Sequence, residues 1–335
     1  MHLHFEAIEE DKPGPVWTGL FGRHWKAYSD WFLSAGDTER PSYLKSRSML
    51  REYMPELMPT YERLTKLAGG SDLAARFLSL YRPPPYISGC SQAVWPAHKK
   101  PVLVRNYDYN PNLCEGTLLM SRWNDKRVIA MGDCLWGVLD GINDSGLCVS
   151  LSFGGRQVVG DGFGVPIILR YVLEFCETAD QAVDVLVRVP THMSYNVTVL
   201  DRSGLFNTVF LAPDKDPVIR QTPIATNHQG RIEWHKHARA TASLERERFL
   251  ADRLADSEET EKGFIRSFLD SPLYSTKYRN GFGTVYTAVY RPDEGVMELR
   301  WPGMTWRQSF DNFKPGRQSI RYLAKAPGFH KKNPS

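Results

Sequence analysis

The chain has 335 residues, 42% of them hydrophobic and 12% aromatic, which supports a large buried core and excludes a disordered polymer. Its 42 Lys and Arg against 38 Asp and Glu are scattered instead of gathered into an arm or stripe, so no nucleic-acid partner is expected. Five cysteines without a Cys-x-x-Cys pair suggest neither a disulfide framework nor a zinc knuckle; an acidic start and the lack of any apolar run of membrane-spanning length make a cytoplasmic protein the expectation.

Residues 14–80 read as largely helical. Trp25 to Leu33, Tyr43 to Leu57 and Tyr61 to Leu67 place apolar residues at helical spacing, Gly69-Gly70 ends the last of these, and Ser71 opens a short helix toward Leu80. Three prolines in Tyr81-Arg-Pro-Pro-Pro-Tyr86 break the pattern, since they continue neither a helix nor a paired strand.

Strand signals follow at Pro101 to Tyr107, Val128 to Met131, Leu135 to Ile142 and Leu147 to Phe153, the last two joined by the turn Asn143-Asp-Ser-Gly146. Pro166 to Cys176 and Thr178 to Val189 are predicted helices, the second opening on the capping pattern Thr178-x-x-Gln181. A hairpin is predicted for Tyr195 to Asp201 with Leu205 to Leu211, one charged helix for Arg239 to Asp256, and a last hairpin for Thr284 to Arg291 with Val296 to Trp301. Hairpins grouped between groups of helices predict an α+β layered fold and argue against alternating parallel units. With no Gly-x-Gly-x-x-Gly after a strand and no phosphate loop, no cofactor is expected.

Gly89-Cys90 stands between the proline break and the strands. A cysteine is more often a small buried hydrophobe than a nucleophile. Here, however, the preceding glycine leaves its carbonyl open to the adjacent thiol, the arrangement an N-to-S acyl shift requires. Fifteen residues on, Arg105-Asn-Tyr-Asp108-Tyr109 places a cation and a carboxylate at a strand end.

Gly89-Cys90 followed at this distance by that segment resembles the acyl-coenzyme A:isopenicillin N acyltransferase family, itself similar to the choloylglycine hydrolases and acid ceramidase among the linear-amide hydrolases. Leu67-Ala-Gly-Gly70, Trp136 to Asn143, Gly146-Leu147, Phe153-Gly-Gly-Arg156, Tyr195 to Asp201 with Ser203-Gly204, Thr226-Asn227-His228 and Ser243-Leu-Glu-Arg246 come in the family's order. Ser91, where threonine is common, and Gln229, where an aromatic is usual, depart from its pattern.

The resemblance implies a four-layer αββα N-terminal-nucleophile (Ntn) hydrolase sandwich with antiparallel sheets, a single domain cut into an α chain of residues 1–89 and a β chain of residues 90–335. It implies a zymogen that cleaves itself between Gly89 and Cys90. Cys90 would then attack a linear amide and pass the acyl group from its thioester to water, or alternatively to an amine. A thiol of pKa about 8.5 needs a base at neutral pH, and the freed α-amine, of pKa about 7.7–8.0, supplies one. Carried over from the family, Arg105 favours the thiolate, Asp108 orients the α-amine, Asn227 is an oxyanion donor, and Arg246 stabilises the site or a substrate group, with Arg248 and Arg239 as alternatives. A backbone N–H near Phe153 and Gly154 is the weaker second donor.

Each residue also has a plainer explanation: Arg105 and Asp108 as a strand-end ion pair, Asn227 as a turn residue, Arg246 as one charge on a solvated helix. Two other functions stand beside the enzyme reading, a catalytically silent binding protein of the same fold and an uncut hydrolase using Cys90 with His228. His235-Lys-His237 lacks a third ligand nearby, so no metal is expected. The expected partner is a small amide or acyl substrate.

Overall fold

The N-terminal alternation of Leu3, Phe5 and Ala7 with His2, His4 and Glu6 forms a strand, β1 (His2–Glu10), ahead of the helices the sequence predicts. The structure, a computed structural model, describes residues 2–96, 100–280 and 282–322. Four helices follow β1: α1 (Pro15–Phe32), α2 (Tyr43–Tyr53), α3 (Met58–Leu67) and α4 (Asp72–Leu78). At the start of α1 the Glu10 carboxylate accepts from the Val16 and Trp17 amides at 2.9 and 3.1 Å, meeting orphan donors with a negative charge. Ser71 caps α4 by accepting from Ala74 N at 3.2 Å.

The remaining strands are β2 (Gly89–Trp95), β3 (Val102–Tyr109), β4 (Thr117–Ser121), β5 (Val128–Asp133), β6 (Gly137–Asn143), β7 (Cys148–Phe153), β8 (Tyr195–Leu200), β9 (Phe206–Ala212), β10 (Lys215–Arg220), β11 (Ile224–Ala225), β12 (Gly283–Arg291), β13 (Val296–Trp301), β14 (Met304–Ser309) and β15 (Gly316–Arg321). Among the described residues they form two sheets, a nine-stranded one in the order β10-β9-β8-β7-β6-β5-β4-β1-β15 and a six-stranded one in the order β11-β2-β3-β12-β13-β14. Neighbours are antiparallel except β1 and β4, which run parallel.

Helices α5 (Val165–Phe175) and α6 (Ala179–Arg188) cover the outer face of the large sheet, packing on β6 and β9. The predicted single helix from Arg239 to Asp256 is instead two, α7 (His235–Ala240) and α8 (Ser243–Ala255), broken where Ala242 takes a left-handed φ of 52°. Together with α9 (Glu261–Ser267), α8 covers the outer face of the small sheet: Leu250, Phe264, Ile265 and Phe268 pack on Ala93, Val102, Val104 and Val289. Helix, sheet, sheet and helix make the four αββα layers. Within them the strand period of two decides what each side chain meets. On β3, Leu103, Arg105 and Tyr107 face the other sheet, whereas Val102, Val104, Asn106 and Asp108 face the helix layer.

Candidate active site

Strand β2 pairs with β3 so that Cys90 lies opposite Tyr107 and Gly89 opposite Asp108. Directly opposed residues share a face, so the Cys90 thiol enters the layer between the sheets, where it is fully buried. Arg105, two residues along the facing strand, donates from Nη2 to Cys90 Sγ at 3.4 Å, and Ser88 Oγ lies 3.8 Å from the sulfur.

The Arg105 guanidinium is held by the opposite sheet. Its Nε donates to Leu151 O at 2.8 Å, and its Nη1 pairs with Asp140 and donates to Tyr286 OH at 3.2 Å. Asp140 in turn accepts from Tyr286 OH at 2.7 Å and from Tyr290 OH. Burial works against the Arg105 charge, but Cys90, Asp140 and the tyrosines outweigh it and hold its pKa well above the ordinary value. Burial pushes the Cys90 thiol up, against the pull of Arg105.

On the other face of β3, Asp108 pairs with Arg246 on α8 and accepts from Thr284 Oγ1 at 2.5 Å. Arg246 is buried and also donates to Pro272 O at 3.1 Å; Arg239 and Arg248, the two alternatives, are exposed. The structure therefore brings Arg246 to Asp108. Gly89 turns toward the same layer, and a Cβ there would collide with the Phe282 ring and lie 3.3 Å from Thr241 Cγ2. A larger residue here requires the Phe282 ring to move.

Asn227 reaches Cys90 along the sheet edge. The short β11 pairs with β2 as far as Gln92, and two residues beyond it the Asn227 side chain takes over the ladder, its Oδ1 accepting from Cys90 N at 3.0 Å. Its Nδ2 donates to Phe153 O at 3.2 Å, so the group expected as an oxyanion donor presents an acceptor to the Cys90 amide. The Gly154 amide, the expected second donor, donates to Ser194 O at 2.9 Å. Asp108 stands across the strand from Gly89 and bonds Arg246 and Thr284, while the Cys90 amide bonds Asn227.

Several positioning groups have no sequence signal of their own. Ser243 Oγ accepts from Asn227 N at 2.8 Å and lies 3.0 Å from Thr226 Oγ1 and 2.8 Å from His228 Nδ1. His228 Nε2 meets Glu247 at 3.2 Å, so the imidazole engages Ser243 and Glu247, a geometry that does not make it a base for Cys90. Asp140, Thr284 and Tyr286 emerge only once the chain is folded; Asp140 lies inside a motif that the resemblance uses, without a role of its own. Gln229 donates to Tyr195 O and Leu211 O at 3.1 and 3.0 Å, as a structural tie between turn and sheet. Among the described residues no group of three or more His, Cys, Asp or Glu could hold a metal ion, and no helix is long and apolar enough to cross a membrane.

A family model described as acyl-coenzyme A:6-aminopenicillanic acid acyl-transferase matches residues 95–306, a stretch that contains Arg105, Asp108, Asn227 and Arg246 and begins just after Cys90. No curated protein matches the sequence. Similar solved structures include penicillin V acylase from Agrobacterium tumefaciens, with 13% identity over 66% of this chain and 86% of that one and a TM-score of 0.47. A variant of the conjugated bile acid hydrolase from Clostridium perfringens is similar at 11% identity over 72% of this chain and 100% of that one, with a TM-score of 0.45. The Caenorhabditis elegans ortholog of N-acylethanolamine-hydrolyzing acid amidase is similar at 16% identity over 62% of this chain and 93% of that one, with a TM-score of 0.42.

Proposed function

The chain belongs to the acyl-coenzyme A:6-aminopenicillanic acid acyl-transferase family, and on that premise we propose that it is a self-processing cysteine amidohydrolase of the Ntn type with Cys90 as its nucleophile. The observation that carries this reading is the setting of Cys90 at the Gly89–Cys90 bond. The thiol touches the Arg105 guanidinium at 3.4 Å, and the backbone nitrogen that would become its α-amine is held by Asn227 at 3.0 Å.

Two steps follow. In the first, the Cys90 sulfur attacks the Gly89 carbonyl carbon, the C–N bond to Cys90 breaks, and the released nitrogen takes up the thiol proton. Water then hydrolyses the thioester, leaving a Gly89 carboxylate and a free Cys90. In the second, the new α-amine accepts the thiol proton and the thiolate attacks a substrate amide. The departing amine carries that proton away, and water releases the acyl group as a carboxylic acid. Arg105, clamped by Asp140, favours the thiolate through its fixed positive charge. Asn227 Oδ1, which accepts from Cys90 N, keeps the α-amine beside the sulfur in this reading, and its Nδ2 becomes an oxyanion donor once it leaves Phe153 O. Asp108 and Arg246 act as a neutral buried pair behind the scissile bond.

Incubation with N-acyl amino acids and lactams tests the reading. It predicts release of the amine, a transient acyl adduct on Cys90 by mass spectrometry, and no turnover by Cys90→Ala. A fully active Cys90→Ala protein overturns it.

A further inference from the structure

A pocket of about 250 Å³ opens between α1 and the ends of β3 and β5, lined by Tyr28, Trp31, Tyr86, Tyr109, Glu115 and Asp133. It lies one layer of side chains from the thiol. Tyr109 stacks on Tyr107 at 5.5 Å, Tyr107 lies opposite Cys90, and Tyr86 is four residues before Cys90 in sequence.

Glu115 is under-satisfied, and the two carboxylates share one phenol. Glu115 Oε2 accepts from Leu135 N at 3.0 Å and from Tyr28 OH at 2.8 Å, and Asp133 Oδ1 lies 3.1 Å from the same phenol. A phenol has one proton, so it donates fully to only one of the two. Glu115 Oε1 is out of contact with solvent and has no hydrogen-bond partner. Among the described residues no arginine, lysine or histidine pairs with either group, and Asn112 and His24, which also line the pocket, bond neither. Burial, and then the neighbouring Glu115 charge, raise Asp133 to about 7, as expected of a site short of positive charge.

We propose that this pocket binds a primary ammonium group carried by the amide substrate, held by Glu115 and Asp133 with its apolar stem among the aromatic rings. An ammonium brings three donors to a pair of carboxylates in which Glu115 Oε1 has no partner. The ring faces of Tyr28, Trp31, Tyr86 and Tyr109 add cation–π attraction and cover a hydrocarbon chain. A neutral acyl chain would fill the same volume and leave the carboxylates uncompensated.

The proposal deepens the amidase reading, on which it rests for calling the ligand a substrate, and its test measures binding separately from turnover. Affinities of ω-aminohexanoyl para-nitroanilide and hexanoyl para-nitroanilide for the full-length Cys90→Ala protein are compared by calorimetry at about pH 8, where the ammonium is charged. The ammonium probe is expected to bind at least about 10-fold more tightly, a gap that Glu115→Gln and Asp133→Asn each close. The ratio between probes is the readout, so a variant with a damaged fold loses both affinities and does not mimic the result. Equal affinities, or a preference that survives both substitutions, overturn the proposal. Tight ammonium binding by a protein whose unsubstituted form turns over neither probe upholds the pocket and removes the amidase reading. Turnover of both probes with equal affinity upholds the amidase and removes the pocket.

Discussion

Two residues, Gly89 and Asp133, show how single side chains set the behaviour of the site. A methyl group on Gly89 would run into the Phe282 ring. Gly89→Ala is therefore expected to slow self-cleavage by at least about 10-fold, the order of effect of about 1.4 kcal/mol of strain at the reacting bond. The double variant Gly89→Ala/Phe282→Ala should recover much of the loss in a time course on denaturing gels. Unchanged cleavage in the single variant would mean that the ring yields freely. Asp133 makes a prediction in pH. An unfolded aspartate ionises near about 3.9, whereas folded Asp133 holds its proton to about 7. Between those values the native state binds the extra proton, so the stability contributed by this group is full below the window and falls as pH rises through it. Asp133→Asn should accordingly raise the melting temperature more at about pH 8 than at about pH 4. An equal shift at both would show that the carboxylate is compensated in the folded protein.

At the scale of elements, the site depends on strands from two sheets that meet only after folding. Arg105 on β3 reaches Asp140 on β6, and both are fully buried. Asp140→Ala leaves that guanidinium without its counter-charge and should cost about 3–5 kcal/mol in urea unfolding. Tyr286→Phe, which removes one hydrogen bond to Asp140, should cost about 1 kcal/mol. If Asp140→Ala matched the mild variant, the clamp would be of little consequence. The same cross-sheet dependence explains what the sequence left unread. Hairpins β6–β7, β8–β9 and β12–β13 were legible because alternation and turn residues are local signals. Strand β4, Thr117-Leu-Leu-Met-Ser121, is buried throughout and shows no alternation, while the edge strands β10 and β15 are polar and mostly exposed. Leu3, Phe5 and Ala7 did alternate, and β1 could have been read from them. The break at Ala242 has no glycine or proline to announce it; the turn it makes starts α8 at Ser243, whose hydroxyl supports Asn227. Cys90, Arg105, Asp108, Asn227 and Arg246 could be singled out as motifs in order, and the fold gathers them around β2 and β3. Asp140, Ser243, Thr284 and Tyr286 were not, because their importance lies in contacts far apart in sequence.

For the whole molecule, the segment before Cys90 is no detachable cover. Strand β1 sits inside the large sheet between β4 and β15, and Trp17, Leu20, Phe32, Leu50, Tyr61 and Phe77 belong to the main core. Trp17 Nε1 donates to Leu135 O at 3.0 Å, and Trp136 Nε1 returns the tie to Leu78 O at 2.9 Å. Cleaved protein should therefore run as one particle in native size-exclusion chromatography; separation of the pieces without denaturant would contradict this packing.

The proposed chemistry turns on the Gly89–Cys90 bond. The intact mass of freshly purified protein under denaturing conditions should resolve two polypeptides, residues 1–89 and residues 90–335, and the Cys90→Ala protein should give one. A single uncut mass for unsubstituted protein that turns over amides would contradict it, since an active enzyme would then be working without the N-terminal amine the chemistry requires.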